Sequence, residues 1–481
     1  RSIMTNSNTI HDYKGKNIAI LGMGKSGVAL AQVLSQRGAH VLVSDTRKAE
    51  QLGTALEALS KLPVEYECGG HSERVLQSDI IVISPGVSIH SPLIEKALSM
   101  GVKVLGEVEI AWSISPAPFI AVTGTNGKST TVTLIDRMLG DRSVLAGNIG
   151  NPLVAEVGKA RPDGFVTAEI SSFQLESVDQ FHPHIGVLTN VTPDHLDRHP
   201  NLEEYFAAKA RLFARMGPKD LAIFSDDDPE ARHMATLLRE GKLPSWLPTY
   251  PAPEVPACPQ IMTFSIDHPV AKGTWYENGL IWYRNESCAE PVVEWNEDEY
   301  PGLPGPHNLA NALAATAVAR FLHIDQETIR RAFIAHKPLH YRMEEVRDYK
   351  GVRFIDDSKA TNTSSVIAAV EAFKSGPLVL IAGGKDKGFD FSPLGKAILD
   401  CCNYLILIGE AADRLEKSVL QFGTLPIFRA ATLEEAVNLG WEKVKESGGT
   451  VLLSPACSSF DMFHNAEERG KLFAEYALKI R

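Results

Sequence analysis

At residues 121–131 the chain reads AVTGTNGKSTT, and few folds can use such a string. An apolar run ends in a glycine-rich turn, and Lys128 and Ser129 then open a helix. A parallel α/β sheet builds such a turn at the carboxyl end of a strand, where the first N–H groups of the helix have no partner within it. Backbone donors from Gly124, Thr125, Asn126 and Gly127 can cradle phosphate oxygens. Lys128 can reach the terminal phosphates of a nucleotide, and Ser129 or Thr130 can hold magnesium. The common P-loop spacing puts its first glycine at position 122, where this chain has Val122, so the loop is a variant.

A second glycine loop precedes it. Residues 17–47, NIAILGMGKSGVALAQVLSQRGAHVLVSDTR, read as a buried strand, a turn with Gly22, Gly24 and Gly27 as GxGxxG, a helix ending near Gly38 and a second strand closed by Asp45. That pattern admits a nucleotide, and equally a plain tight βα turn. Strand signals recur at 80–84, 102–105, 119–123, 164–168, 185–189, 221–225 and 261–265, with a small antiparallel piece at 279–284 and an alanine-rich helix at 308–322. LVLIAGG, YLILIGE and VLLSPAC then signal another open parallel sheet. At roughly 150 residues per domain, 481 residues suggest about three. The expected fold is therefore α/β, with three consecutive α/β domains over residues 1–112, 113–337 and 338–481. The stretch 114–119, with two prolines, is expected to be a linker, and the proline-rich stretch 243–260 a long loop.

A net charge of −11 argues against coating nucleic acid or an anionic membrane. The six cysteines lack CxxC spacing, and adjacent Cys401 and Cys402 are expected inside a strand. With no run of about 18 apolar residues and a polar start unlike a signal peptide, no membrane insertion and a cytoplasmic location are expected.

Other candidates sit where strands should end. Glu169 in FVTAEISSFQLE is a hard-oxygen ligand for magnesium, and His195 in NVTPDHLDRH follows another strand. Lys209 in YFAAKARLF reads by spacing alone as a solvated helix lysine. In the third segment DDSKATN, GGKDKG and SPACSSF place small polar and charged residues at three strand ends, which together outline a site.

TGTNGKST, EISSFQLE, NVTPDHLDRH, AAK, GPHNLAN, HYRME and DSKATN make the chain resemble the Mur ligases of peptidoglycan synthesis over nearly its whole length. DTR at 45–47, SSFQLE and SPACSSFDMF resemble the members that add D-glutamate to UDP-N-acetylmuramoyl-L-alanine. The resemblance implies an N-terminal Rossmann-like domain for the UDP substrate, a central P-loop-type ATPase domain, and a C-terminal Rossmann-like domain that closes on ATP and the amino acid. It places Gly24, Ser26, Asp45, Thr46, Arg47 and Gly86 around the uridine diphosphate, and Asn148, Ser171 and Gln174 around the muramoyl-alanine. Asn308, Arg342 and Asp357 would join the loop residues on ATP. Lys359, Thr361, Lys387, Ser459 and Phe460 would surround D-glutamate. Ser129, Glu169, His195 and Lys209, the last as a carbamate, would serve two magnesium ions, for which manganese could substitute. Ala466 stands where related sequences tend to carry an aromatic residue. The implied reaction phosphorylates the alanine carboxylate, and the amine of D-glutamate attacks the acyl phosphate to give a tetrahedral intermediate; Lys128, Glu169, His195 and Lys209 are its catalytic candidates, in a cytoplasmic monomer. A dehydrogenase, a folylpolyglutamate synthase, a Mur ligase for another amino acid and a non-catalytic nucleotide-binding module are the competing readings.

Overall fold

The computed structural model describes residues 12–148, 151–194, 199–244 and 258–481. Among them the strands form three sheets. β1 (Asn17–Leu21), β2 (His40–Asp45), β3 (Glu65–Cys68), β4 (Ile80–Ile83) and β5 (Lys103–Gly106) are all parallel, in the order β3-β2-β1-β4-β5. Ile20 of β1 lies between Val43 and Val82 of its neighbours. β1 and β4 are continuous apolar runs because both faces of the sheet are covered. The helix Lys25–Gln36 lays Gly27, Leu30, Ala31 and Leu34, spaced three and four apart, on one buried face.

The second sheet holds β6 (Phe119–Thr123), β7 (Ser143–Gly147), β8 (Phe165–Glu169), β9 (Ile185–Leu188), β10 (Leu221–Ser225), β11 (Gln260–Ser265), β12 (Gly273–Glu277), β13 (Leu280–Arg284) and β14 (Ala289–Glu294). Its order is β14-β13-β12-β11-β10-β9-β6-β8-β7, with β12, β13 and β14 running as an antiparallel meander and the other pairs parallel. The third sheet has β15 (Glu344–Tyr349), β16 (Val352–Asp356), β17 (Leu378–Gly383), β18 (Tyr404–Ile408), β19 (Ile427–Arg429) and β20 (Gly449–Leu453), ordered β15-β16-β20-β17-β18-β19. Only the β15–β16 pair is antiparallel.

Contacts divide the chain into two compact units, Arg1–Trp295 with Ala310–Ala332, and Asn296–Leu309 with Phe333–Arg481. Within the first unit the first two sheets share one core that includes Leu105, Val108, Trp112, Phe119 and Phe181. The Trp112 and Phe119 rings both meet the Phe181 ring edge-on, at 6.2 and 5.8 Å. Glu109, fully buried on the helix Glu107–Ile114, accepts the backbone N–H groups of Asp179, Gln180 and Phe181. The stretch 114–119 connects the first sheet to the second, and Ser115, Ala117 and Phe119 within it are buried because apolar residues flank the two prolines and pack inward. Cys401 ends the helix Ser392–Cys401 and Cys402 follows it, so neither lies in a strand; the strand expected there begins at Tyr404. Both thiols are free. Residues 245–257 of the proline-rich stretch, and His195, lie outside the described residues.

Candidate active site

β6 lies between β8 and β9, and the chain crosses from one side of it to the other, so the carboxyl ends of three adjacent strands open on a topological switch point. The AVTGTNGKST loop leaves β6 there. Gly124 has φ +145°, and a Cβ on it would stand 1.9 Å from Thr189 Oγ1. Gly127, with φ +82°, caps the helix Lys128–Leu139, and its Cβ would stand 2.1 Å from Asn311 Oδ1. Asn190, just beyond β9, shapes the loop: its carbonyl accepts Thr125 N–H at 3.0 Å, and its Oδ1 accepts Asn126 N–H at 2.9 Å. Thr189 Oγ1 donates to Asn126 O at 2.6 Å. Asn190 opens a motif read for its histidine, and Asn311 closes one read for Asn308, so neither was singled out from the sequence. Thr130, the third residue of the helix Lys128–Leu139, is half-buried.

Lys128 folds back on this loop, its Nζ donating to the carbonyls of Gly124 at 3.0 Å and Thr125 at 2.7 Å. Lys209 reaches the same Gly124 carbonyl at 2.9 Å from the helix Leu202–Ala210. Lys209 is 1% exposed and lies 4.3 Å over the Tyr205 ring, the opposite of the solvated lysine that spacing alone suggests. Burial, with the nearby Lys128 charge, drives its amine well below the ordinary lysine range, and Asp194 opposes this only weakly. Glu169, 2% exposed at the end of β8, accepts Ser129 Oγ–H at 2.5 Å and Asn148 Nδ2–H at 3.1 Å. The loop, two lysines and one buried carboxylate thus meet on the same strand ends. Ser171 and Gln174 instead pair with each other as a capping box on the helix Ser172–Leu175.

In the first sheet the switch point falls between β1 and β4. Gly22 takes φ +101°, and a Cβ on Gly27 would strike Gly22 O at 1.8 Å, so the glycines let loop and helix approach. Asp45 braces the loop by accepting Met23 N–H at 2.8 Å, and holds Arg47 through Nε at 3.0 Å and Nη2 at 2.7 Å. Its carboxyl falls to about 2, chiefly through the Arg47 bonds. Ser84 Oγ, after β4, is buried beside Gly22 with no hydrogen-bond partner among the described residues. Gly24, Thr46 and Gly86 are exposed around this crevice, and Ser26 lies near Glu107 and favours its charged form.

In the second unit β16, β20 and β17 lie side by side, so DDSKATN, SPACSSF and GGKDKG emerge together. Asp357 accepts Ser454 Oγ–H at 2.7 Å and Met343 N–H at 3.2 Å. Burial raises its carboxyl to about 7 against the opposing pull of Ser454 and Arg342, and raises Asp356 to about 6. Lys359 lies 3.3 Å from Glu467, Lys387 lies 5.6 Å over the Phe389 ring, Ser459 is buried and Phe460 exposed. Thr361 is half-buried next to Asn362, which caps the helix Thr363–Phe373. Asn308 Nδ2 donates to Pro304 O at 2.8 Å. Ala466 is the first residue of the helix Ala466–Lys479.

A lysine-bearing glycine loop on one sheet, a glycine crevice on another and a polar strand-end site on a third suit a nucleotide-dependent ligase. Family models agree: residues 16–106 match the MurD-like N-terminal domain of Mur ligases, 122–250 the Mur ligase middle domain, and 341–457 the Mur ligase glutamate ligase domain. The chain belongs to the Mur ligase family. A UDP-N-acetylmuramoylalanine--D-glutamate ligase of Caldanaerobacter subterraneus is 39% identical over 98% of this chain and 100% of its own. The enzyme of that name from Pelotomaculum thermopropionicum is 38% identical over 98% and 99%. Among solved structures, MurF from Acinetobacter baumannii has a TM-score of 0.59 at 16% identity, covering 98% of this chain and 92% of that one, which shows the shared fold.

Proposed function

We propose that this Mur ligase joins D-glutamate to UDP-N-acetylmuramoyl-L-alanine, cleaving ATP to ADP and phosphate, in peptidoglycan precursor synthesis. The relatives that span its whole length carry that activity in their names. The observation that carries the chemistry is the meeting of Lys128 and Lys209 on one carbonyl beside buried Glu169.

A carboxylate is a poor electrophile, so the alanine carboxylate first takes the γ-phosphoryl group of ATP, releasing ADP. Both reactants are anions. Lys128 offsets their repulsion, and the helix start behind Gly127 faces the phosphates. Glu169 and Ser129 are hard-oxygen donors that suit magnesium, with manganese as a substitute, and Lys209 joins them once its amine adds carbon dioxide and sheds a proton to become a carbamate anion. Magnesium supplies charge neutralisation in the phosphoryl transfer. His195 is assigned to the same set by resemblance alone.

Asp45 keeps the first loop in shape for the uridine diphosphate, with Gly24, Ser26, Thr46, Arg47 and Gly86 around it; Asn148, Ser171 and Gln174 attend the muramoyl-alanine. Asn308, Arg342 and Asp357 contribute to ATP. Lys359 and Lys387 counter the two carboxylates of D-glutamate, with Thr361, Ser459 and Phe460 beside them. The neutral amine of D-glutamate attacks the acyl carbon, and the tetrahedral intermediate collapses to the amide and phosphate. Domains at 1–112, 113–337 and 338–481 divide these tasks, and the third closes when ligands bind so that water does not consume the acyl phosphate. Small-angle scattering with ATP and substrate should report compaction. The enzyme works in the cytoplasm as a monomer; among the described residues no helix is long and apolar enough to cross a membrane.

The test is phosphate release from ATP, magnesium and UDP-N-acetylmuramoyl-L-alanine with D-glutamate, L-glutamate, L-lysine or diaminopimelate. Release with D-glutamate alone is expected. Release with another amino acid keeps the ligase and moves its specificity, and silence with all four overturns the assignment.

A further inference from the structure

Arg469 is fully buried in the second unit, on the helix Ala466–Lys479, yet no hydrogen bond to a carboxylate holds it. Its Nη1 donates to Cys457 O at 3.1 Å and its Nη2 to Ser358 O at 2.8 Å, while Nε has no acceptor among the described residues. Ser358 immediately precedes Lys359, and Cys457 stands two residues before Ser459. A Cβ on Gly384, in the loop after β17, would lie 3.3 Å from Nη1. The guanidinium therefore sits where the loops from β16, β20 and β17 converge. The next residue, Gly470, admits the Tyr341 ring: a Cβ there would stand 2.2 Å from Tyr341 Cδ1. The Tyr341 carbonyl in turn accepts Lys359 N–H at 3.1 Å. Ala456 is held at φ +63° inside the same clamp.

Asp356 and Asp461 lie near enough to favour the charge of Arg469, yet its hydrogen bonds go to two backbone carbonyls and to neither carboxylate. What the planar fork adds is a fixed spacing between two backbones. We propose that Arg469 is a positioning residue for the amino-acid substrate, locking the Ser358–Lys359 and Cys457–Ser459 backbones at the separation that D-glutamate binding requires. This rests on the assignment of D-glutamate to Lys359 and Ser459. Although burial lowers it to about 10, Arg469 stays charged in the working pH range.

Steady-state kinetics on the full chain test this with Arg469→Met, Arg469→Lys and, as a control, Lys359→Ala. Arg469→Met keeps most of the volume but leaves the Ser358 and Cys457 carbonyls without this donor, so it should melt below the parent while staying folded. Its KM for D-glutamate should rise about tenfold or more while that for UDP-N-acetylmuramoyl-L-alanine stays within about twofold; Arg469→Lys, which keeps one carbonyl link, should fall between. If Lys359→Ala raises KM for D-glutamate and the folded Arg469 variants do not, or if they raise both KM values alike, Arg469 is only structural and the proposal fails. If Lys359→Ala leaves that KM unchanged, the underlying assignment fails instead. Should Arg469→Met not fold, Arg469→Lys decides by the same two constants.

Discussion

A lysine amine with no exposed surface, sharing a carbonyl with a second lysine, holds its proton at a cost. Because the Lys209 pKa is lowered, its penalty on stability is absent above the unfolded value near 10.5, grows as pH falls, and is complete below the folded value. Lys209→Met should therefore melt higher than the parent at neutral pH in carbonate-free buffer, and lose activity by about 1,000-fold or more. Lys209→Ala should regain part of its activity when a small carboxylate is added; no regain at any concentration would count against the carbamate. Asp357 has the opposite sign of charge but the same kind of cost. Its folded value of about 7 exceeds the unfolded 3.8, so its penalty appears as pH rises between these values and is complete above about 7. Asp357→Asn should unfold at higher denaturant than the parent near pH 8, with the gap closing toward pH 4, while catalysis falls.

Elements show how much of this was legible. Short apolar runs gave the central parallel strands of all three sheets, since two-sided burial leaves no alternation to confuse with a helix, but β3, β7, β12 and β19 were not read from the sequence. The loop residues 124–130 and Glu169 were legible because strand ends are where α/β sheets put functional groups. Lys209 by spacing, Asn190, Asn311, Ser84 and Arg469 were not: each owes its surroundings to tertiary packing, and a lone polar residue carries no period. The prolines of 114–119 marked the connection between two sheets but not its burial, since proline signals a break in local structure and says nothing of what covers it. At this scale Gly124→Ala is the sharp test. It adds a methyl 1.9 Å from Thr189 Oγ1 in a backbone conformation that favours glycine, and should lower stability by about 2 kcal/mol or more and abolish ATP binding by calorimetry.

For the molecule as a whole, the shared core of the first two sheets predicts how it melts. Trp112, Phe119 and Phe181 interlock across them, and Glu109 ties its helix to residues 179–181 by three backbone bonds. The first sheet should not unfold by itself. Scanning calorimetry should resolve at most two transitions, one per compact unit, and a third, assignable to residues 1–112, would contradict the joint core. The second unit has its own constraint. β20, the last strand among the described residues, inserts between β16 and β17, which do not pair with each other and are made about 95 and about 65 residues before it. On the ribosome those two strands must wait with their inner edges open until residues 449–453 emerge. A chain stopped short of Leu453 is left with two unpaired apolar edges, a template for aggregation and a mark for the cell's proteases.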